Sequence, residues 1–333
     1  MPSSKPCQVP SRRRCAPRGP HALAGTLLVL ASILSGCATP TSRLRALAHD
    51  QGFARESVRA GGYEHTVFDN GAPAAGATLH VYLEGDGTPW RHRTVIMPDP
   101  TPRRPLMLAL MALDDAASVY VGRPCYNGTY AEPGCDNRMW TSDRYSERVV
   151  SSMAEVVRRR AIGAGARRVR LFGHSGGAAL ALLIAERVEA VDAVVTLAGN
   201  LDTEAWTAHH GYSPLHGSIN PARRPPLGLR VREWHLLGER DPVIPPGLVA
   251  GYLERRERAV AVRLPGFGHG CCWKGIWPRV LRALEEDAPE TLPGVPLRPA
   301  SASPAPPGPS GPPDVPGGAA TQVDARAAAS RAG

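Results

Sequence analysis

Hydrophobic residues recur along this chain with two periods that alternate from segment to segment. Short stretches with strand-type alternation or buried apolar runs predict strands at 56–59, 63–68, 78–83, 118–121, 169–172, 192–197, 229–236 and 260–264. Longer stretches with helical spacing predict helices at 106–113, 143–160, 178–186, 246–258 and 275–286. Strands that alternate with helices predict the α/β class, with a mostly parallel central sheet covered by helices on both faces.

The two ends of the chain depart from this pattern. Residues 1–36 carry five basic residues and no acid. The last basic residue is Arg18, and the apolar run at 22–34 that follows it is too short to span a bilayer but typical of an export signal. Residues 37–54 are polar and predict a tether. Residues 289–316 hold eleven prolines, so we expect 289–333 to be a disordered tail. One folded domain is therefore predicted over residues 55–288.

Composition and charge narrow the class of protein. The chain has 333 residues, of which 43% are hydrophobic, enough for a sizeable core. Its formal charge is +9, and removing the five basic residues of 1–36 leaves 9 − 5 = +4. So mild a surplus does not predict a nucleic-acid partner.

The apolar run ends in Leu34-Ser35-Gly36-Cys37. This stretch resembles the lipobox of bacterial lipoprotein signal peptides, in which the cysteine is lipidated and becomes the mature N-terminus. The non-acidic Ala38 implies, by the same resemblance, an outer-membrane destination. We therefore expect 1–36 to be a signal peptide and Cys37 to anchor the protein by lipid in the bacterial cell envelope. The alternative is an ordinary signal or short anchor with an incidental cysteine.

The remaining cysteines are candidates for disulfides, because disulfides persist in exported proteins. Two cysteines leave with the signal and Cys37 carries lipid, which leaves Cys125, Cys135, Cys271 and Cys272. Cys125 and Cys135 flank a loop rich in Gly, Pro and Asn and are the natural local pair. Cys271 and Cys272 are adjacent, and they either join each other or pair elsewhere. Four cysteines allow three connectivities, and the sequence does not choose among them.

The strongest chemical signal lies where the strand at 169–172 ends. Gly173-His174-Ser175-Gly176-Gly177 matches G-x-S-x-G and leads into an Ala/Leu-rich helix. A serine between a strand and a helix is held on a sharp turn that exposes its hydroxyl, and glycines relieve the crowding. The Gly176 amide begins the helix, where the dipole favours a developing negative charge. The alternative is a glycine-rich turn with a capping serine.

Two further segments complete a catalytic set. Asp241 follows one predicted strand and His269, flanked by glycines, follows another. In a triad of this order, His269 accepts the Ser175 proton and Asp241 orients and stabilises the imidazole. Asp202, after the strand at 192–197, is the rival acid, and we favour Asp241 because of its Asp-Pro-Val-Ile-Pro context.

These motifs carry a resemblance. Residues 53–286 resemble the α/β-hydrolase superfamily, and most closely a group of bacterial envelope lipoproteins of that fold. The matching stretches are 82–87 (YLEGDG), 123–126 (RPCY), 173–177 (GHSGG), 198–202 (AGNLD) and 266–269 (GFGH). The resemblance implies a serine hydrolase that needs neither a metal nor an organic cofactor.

The superfamily also implies an oxyanion hole. Its second donor comes from the loop after the third strand, which places the amide of Asp86 beside that of Gly176. Many members have His-Gly where this chain has Glu84-Gly85, which is a departure. An acidic side chain beside the oxyanion hole, such as that of Asp86, is unfavourable unless it points away or meets an arginine. Arg123 and Arg91 are the candidates for that pairing.

The expected reaction is acyl transfer to water, with a carboxylesterase on small to medium esters favoured because the insertions are too short for a large cap domain. The longest insertion, 199–228, holds an aromatic and histidine cluster that is either a short lid or surface packing. A metal site there is not expected, because no acids stand at ligand spacing. The alternatives are a peptidase or acyltransferase with the same triad, or a binding lipoprotein without catalysis. The oligomeric state is open.

Overall fold

The structure is a computed structural model that describes residues 39–73 and 77–297. Its strands are β1 Ala54–Ala60, β2 Tyr63–Asp69, β3 Thr78–Leu83, β4 Trp90–Arg91, β5 Val95–Ile96, β6 Ser118–Val121, β7 Arg168–His174, β8 Val191–Leu197, β9 Arg232–Gly238, β10 Val260–Leu264 and β11 Val295–Leu297. Its helices are α1 Pro40–Asp50, α2 Leu106–Met111, α3 Glu147–Gly163, α4 Gly176–Ala185, α5 Thr203–His210, α6 Ala250–Leu253 and α7 Trp273–Glu286. The predicted signal peptide, Cys37 and the tail from residue 298 lie outside the described residues.

Nine strands form one sheet in the order β1-β2-β6-β3-β7-β8-β9-β10-β11. The six neighbouring strands β6, β3, β7, β8, β9 and β10 are parallel to one another. Antiparallel strands lie at the two edges, β1 and β2 at one and β11 at the other. This confirms the α/β prediction. Because the carboxyl ends of parallel strands meet at one edge, the segments after β3, β7, β8, β9 and β10 converge there.

Successive strand residues supply the cores on the two faces. Val81, Leu171 and Val194 belong to one buried cluster, together with side chains of α3 and α4. The next residue of each strand belongs to the other cluster, with side chains of α1, α2 and α7, and these residues are Tyr82, Phe172 and Val195. Strands buried on both faces lose the polar alternation of a one-sided sheet, which is why they read as apolar runs in the sequence.

The predicted tether at 37–54 is corrected by α1. This helix is capped by Thr39, whose hydroxyl accepts a hydrogen bond from the Ser42 amide. Leu44 and Ala48, four residues apart, are fully buried against the domain. A narrow apolar stripe is enough to dock a helix whose other side remains polar. The chain from residue 40 onward is therefore part of the folded domain.

The predicted tail boundary at 288 is also corrected. A short 3₁₀ turn, Pro289–Thr291, and β11 follow it, and β11 pairs antiparallel with β10. Backbone hydrogen bonds at a sheet edge need little apolar burial, and an edge strand tolerates Pro296. The proline-rich composition therefore did not predict this strand.

The helix predicted at 246–258 is much shorter in the structure. A 3₁₀ turn at Pro246–Val249 leads into the four residues of α6. Gly247 and Gly251 weaken helix propensity. Arg256, which was predicted to lie in this helix, follows its end. Its buried side chain donates to the backbone carbonyl of Arg224. Within residues 39–73 and 77–297, no helix has the length and apolar character needed to cross a membrane.

Candidate active site

Ser175 lies on the sharp turn between β7 and α4. Its backbone has φ 53° and ψ −119°, a conformation that L-residues rarely adopt and that costs roughly 1–3 kcal/mol. The turn requires close backbone approach, since a Cβ atom on Gly177 would lie 2.2 Å from the carbonyl oxygen of Leu83. The Ser175 carbonyl accepts a hydrogen bond from the Asn200 amide at 3.0 Å. The surrounding strands thus hold the strained serine in place.

The structure brings Ser175, Asp241 and His269 together across 94 residues of sequence. His269 Nε2 lies 3.0 Å from Ser175 Oγ, and His269 Nδ1 lies 2.9 Å from Asp241 Oδ2. The other carboxylate oxygen, Oδ1, accepts hydrogen bonds from the amides of Val243 and Ile244 at 2.8 and 2.9 Å. An Nδ1–H that donates to Asp241 leaves Nε2 free to accept the serine proton. This geometry suits nucleophilic catalysis by Ser175.

Asp202 has a different role in the structure. Its Oδ1 accepts hydrogen bonds from the amides of Glu204 and Ala205, so it caps the N-terminus of α5. The same oxygen accepts a third bond from Asn220 Nδ2 at 2.9 Å. A carboxylate used as an N-cap is oriented toward its own helix. Asp241, and not Asp202, therefore faces His269.

The backbone of His269 is fixed by two buried side chains that the sequence did not single out. His174 Nε2 donates to the His269 carbonyl at 2.8 Å, and Trp273 Nε1 donates to the same oxygen at 3.1 Å. Because His174 Nε2 is the donor, its Nδ1 carries no proton in the neutral ring. Burial, and then the neighbouring His269, lower the pKa of His174 to about 4. The sequence signal that could have indicated this role is the position of His174, directly before Ser175 in the motif.

Glu84 lies buried beside His174, with Oε1 at 3.8 Å from His174 Nδ1. Its oxygens accept hydrogen bonds from the amides of Gly85 and Met107. Burial raises the pKa of Glu84 to about 7 despite these bonds. The carboxyl group thus caps the N-terminus of α2 and shapes the loop that follows β3.

Asp86 lies in that loop, directly beside the nucleophile turn. A Cβ atom on Gly176 would lie 1.9 Å from Asp86 Oδ1, so only glycine fits there. The carboxylate accepts hydrogen bonds from the Tyr145 hydroxyl at 2.7 and 2.8 Å and forms ion pairs with Arg123 and Arg144 at 2.9 and 2.8 Å. Burial alone would raise the pKa of Asp86, but the two arginines lower it to about 2.

Of the two arginines expected to pair with Asp86, Arg123 does so and Arg91 lies exposed on β4. Arg144 takes the second place. Its guanidinium is also held by the Thr141 carbonyl at 2.6 Å from Nε. The contact between Arg144 and Asp86 joins positions 58 residues apart, so no local sequence pattern could indicate it.

The four cysteines predicted to remain after export form two disulfides in the structure, each between cysteines that are close in sequence. Cys125 is joined to Cys135, with Cα atoms 5.5 Å apart, and Cys271 is joined to Cys272. The second bond lies between His269 and Trp273, in the turn that carries the candidate base. This pairing is one of the three connectivities that the sequence left open.

The insertion at 199–228 packs its rings together near the site. Trp206, His210 and Tyr212 contact one another, with the His210 and Tyr212 rings stacked at 5.1 Å. Arg144 lies 5.9 Å above the Trp206 ring, which links the insertion to the Asp86 cluster. Among the described residues, no group of three or more His, Cys, Asp and Glu side chains is placed to hold a metal ion.

A cavity of about 470 Å³ lies at the opposite edge of the sheet, near the amino ends of the strands. It is lined by Arg168, Arg170, Asp192, Arg230, Arg232, Glu285 and Asp287. Its charges are paired with one another, as between Arg170 and Glu285. The cavity is separate from the Ser175 site, because Ser175 follows the carboxyl end of β7.

Comparisons with known proteins identify the fold. No protein-family model matches the sequence, and no curated protein matches it either. A crystal structure of a puromycin hydrolase matches with a TM-score of 0.50 and 20% identity, covering 72% of this chain and 39% of that one. The protein has the α/β-hydrolase fold. A bacterial membrane phospholipase A has TM-score 0.47 and 16% identity over 80% of this chain and 97% of that one, and an esterase of Pyrococcus furiosus has 0.47 and 12% over 73% and 94%.

In an α/β-hydrolase fold, the carboxyl edge of the parallel strands is the place where ligands bind. Ser175 follows β7, Asp241 follows β9 and His269 follows β10, so all three lie at this edge. The α/β-hydrolase fold alone does not fix a reaction. A function must therefore be inferred from these side chains and their distances.

Proposed function

We propose that the protein is a serine hydrolase that acts through a covalent acyl-enzyme on Ser175. The observation that carries the proposal is the continuous hydrogen-bonded line from Ser175 Oγ through His269 to Asp241, at 3.0 and 2.9 Å. A strained serine with its base already in contact and its acid buried is the arrangement that nucleophilic catalysis needs.

In the proposed reaction, His269 takes the Ser175 proton as Oγ attacks the carbonyl carbon of the substrate. Amides of Asp86 and Gly176 stabilise the resulting oxyanion. The protonated His269 then gives its proton to the leaving group, and the acyl group stays on Ser175. Water, deprotonated by His269, releases the acid and restores the serine.

We propose small to medium carboxylic esters as the substrates. The insertion over the site contains one helix of eight residues and a 3₁₀ turn, which leaves no room for a large cap domain. The solved structures with this fold include an esterase, a phospholipase and a puromycin hydrolase, so the reaction class extends from esters to amides. Hydrolysis of an ester is the simplest reaction that the site supports.

The proposed location is the bacterial cell envelope, through lipid on Cys37. This proposal is supported by the export signal and by the sequence that ends in Cys37. Since α1 begins at Pro40, a lipid on Cys37 would hold the domain close to the membrane.

The test is turnover of short p-nitrophenyl esters by the purified protein. We expect Ser175→Ala to lower kcat by about 10⁴ or more. Asp241→Asn should also abolish most activity, because only Asp241 faces His269. Asp202→Asn is the matched control and should retain most activity. A Ser175→Ala variant with wild-type turnover would refute the assignment.

A further inference from the structure

The two-stranded β4–β5 hairpin exposes apolar and basic side chains together. Trp90 is 39% exposed and Val95 is 55% exposed. Of the six tryptophans in the chain, Trp90 is the exposed one, and the other five are buried or partly buried. We define the hairpin surface as Trp90, Arg91, His92, Val95, Arg103 and Arg104, all of which are exposed.

The tip of the hairpin keeps bulky polar residues where the backbone favours glycine or asparagine. His92 and Arg93 have φ of 52° and 63°, the signs that a type I′ hairpin turn requires. Side chains larger than Asn or Gly are disfavoured there. The Arg93 side chain is held in this turn by the insertion at 199–228, because it donates to the His210 carbonyl.

The hairpin surface is basic. It carries Arg91, Arg103 and Arg104, and the acid in the neighbouring loop is Asp99. Asp99 is engaged internally, because its Oδ2 accepts from the Thr41 hydroxyl and its Oδ1 from the Thr101 amide. An exposed tryptophan among basic residues matches the chemistry of an anionic membrane surface, where aromatic rings lie at the headgroup level.

The hairpin surface adjoins the Ser175 site. The Thr88 amide donates to the Pro100 carbonyl at 2.9 Å, which joins the base of the hairpin to the loop before α2, just after Asp86. On the other side, Arg93 donates to the His210 carbonyl at 3.0 Å and lies 4.9 Å from the Tyr212 ring centre. The hairpin therefore bridges the Asp86 loop and the insertion at 199–228.

The chain enters the domain at the same place. Thr41, in the first turn of α1, donates to Asp99 at 2.9 Å and lies 3.2 Å from the Thr101 hydroxyl. Cys37 precedes Pro40 by three residues, a span of at most about 10 Å in an extended chain. A lipid on Cys37 would thus enter the membrane beside the hairpin surface.

We propose that the hairpin surface lies against an anionic phospholipid bilayer and turns the Ser175 edge of the sheet toward it. Trp90 and Val95 enter the headgroup region, and the three arginines face lipid phosphates. The site would then receive substrates presented at the membrane surface. Binding does not depend on the role of Ser175, so it is measured separately from turnover.

The test uses the full chain mixed with vesicles whose acyl chains are brominated near the carbonyl end. We expect tryptophan fluorescence to be quenched by vesicles of phosphatidylcholine with phosphatidylglycerol and much less by phosphatidylcholine alone. Trp90→Phe should lose most of this quenching. Its urea unfolding midpoint should equal that of the wild type, which shows that it is folded.

Charge and position are tested by paired variants. Arg103→Gln with Arg104→Gln should raise the vesicle concentration for half-maximal quenching about five-fold for each arginine. The matched control is Leu229→Ala with Arg230→Gln, which alters an exposed apolar–arginine pair near the amino end of β9 and should change nothing.

Three outcomes would overturn the proposal. One is wild-type quenching that persists in Trp90→Phe, and another is quenching that does not depend on phosphatidylglycerol. The third is self-association of the wild type that Trp90→Phe abolishes in sedimentation velocity, which would make the hairpin surface an interface between copies of this chain.

Discussion

Replacing Asp86 with asparagine removes the carboxylate that faces two buried arginines while keeping nearly the same side-chain volume. The side chains of Arg123 and Arg144 are only 4% and 6% exposed, and that of Asp86 is 14% exposed. Removing one partner of a buried ion pair leaves an uncompensated buried charge, which costs about 3–5 kcal/mol. We therefore expect Asp86→Asn to lower the free energy of unfolding by about that amount.

Urea denaturation followed by tryptophan fluorescence measures this loss as a lower transition midpoint at an unchanged slope. Glu204→Gln is the matched control, because its partner Arg223 is 73% exposed and Glu204 itself 57% exposed. Exposed pairs of this kind contribute little to stability, because solvent screens their attraction. If Asp86→Asn cost no more than Glu204→Gln, the account of a tightly coupled Asp86 cluster would be wrong.

The effect of Asp86 should also depend on pH with a fixed sign. Its pKa is lowered from 3.8 to about 2 in the folded state. A lowered acid pKa stabilises the fold above the unfolded value, and the contribution disappears as the pH falls through about 2. The difference between wild type and Asp86→Asn should therefore be full near neutral pH and shrink below about pH 4.

Three further predictions concern other parts of the chain. Replacing Cys125 and Cys135 by serine should lower the free energy of unfolding by about 2–3 kcal/mol in urea, because a short loop is no longer closed; an unchanged midpoint would refute it. The pKa of Glu84 is raised to about 7, so the stability that the protonated Glu84 contributes should be lost as pH rises from about 4.5 to 7, and the difference in unfolding free energy between wild type and Glu84→Gln should shift by that loss in the same assay. Mass spectrometry of the mature N-terminus should find acylated Cys37, and an unmodified N-terminus elsewhere would contradict the anchor.

The sequence predicted the central sheet and the convergence of Ser175, Asp241 and His269 because each residue follows a strand with a local signal. It also favoured Asp241, whose loop is distinctive and whose carboxylate lies 2.9 Å from His269 Nδ1 in the structure. Parallel strand ends meet at one edge, so the order of elements already placed these residues together.

The parts that the sequence did not predict depend on contacts between distant segments. Arg144 meets Asp86 only because the segment before α3 packs against the loop after β3. The narrow apolar stripe of α1 looks like a polar tether until Leu44 has a partner. The strand β11 is held by backbone pairing, which composition does not report.

The most direct test of the central claim is labelling of the purified protein with a fluorophosphonate probe. A nucleophilic Ser175 attacks phosphorus, a P–O bond forms and fluoride leaves. Intact mass and peptide mapping should show one adduct, on Ser175, and none in Ser175→Ala. Labelling should also be lost in Asp241→Asn and retained in Asp202→Asn. An unlabelled wild-type protein, or equal labelling of Ser175→Ala, would contradict the claim.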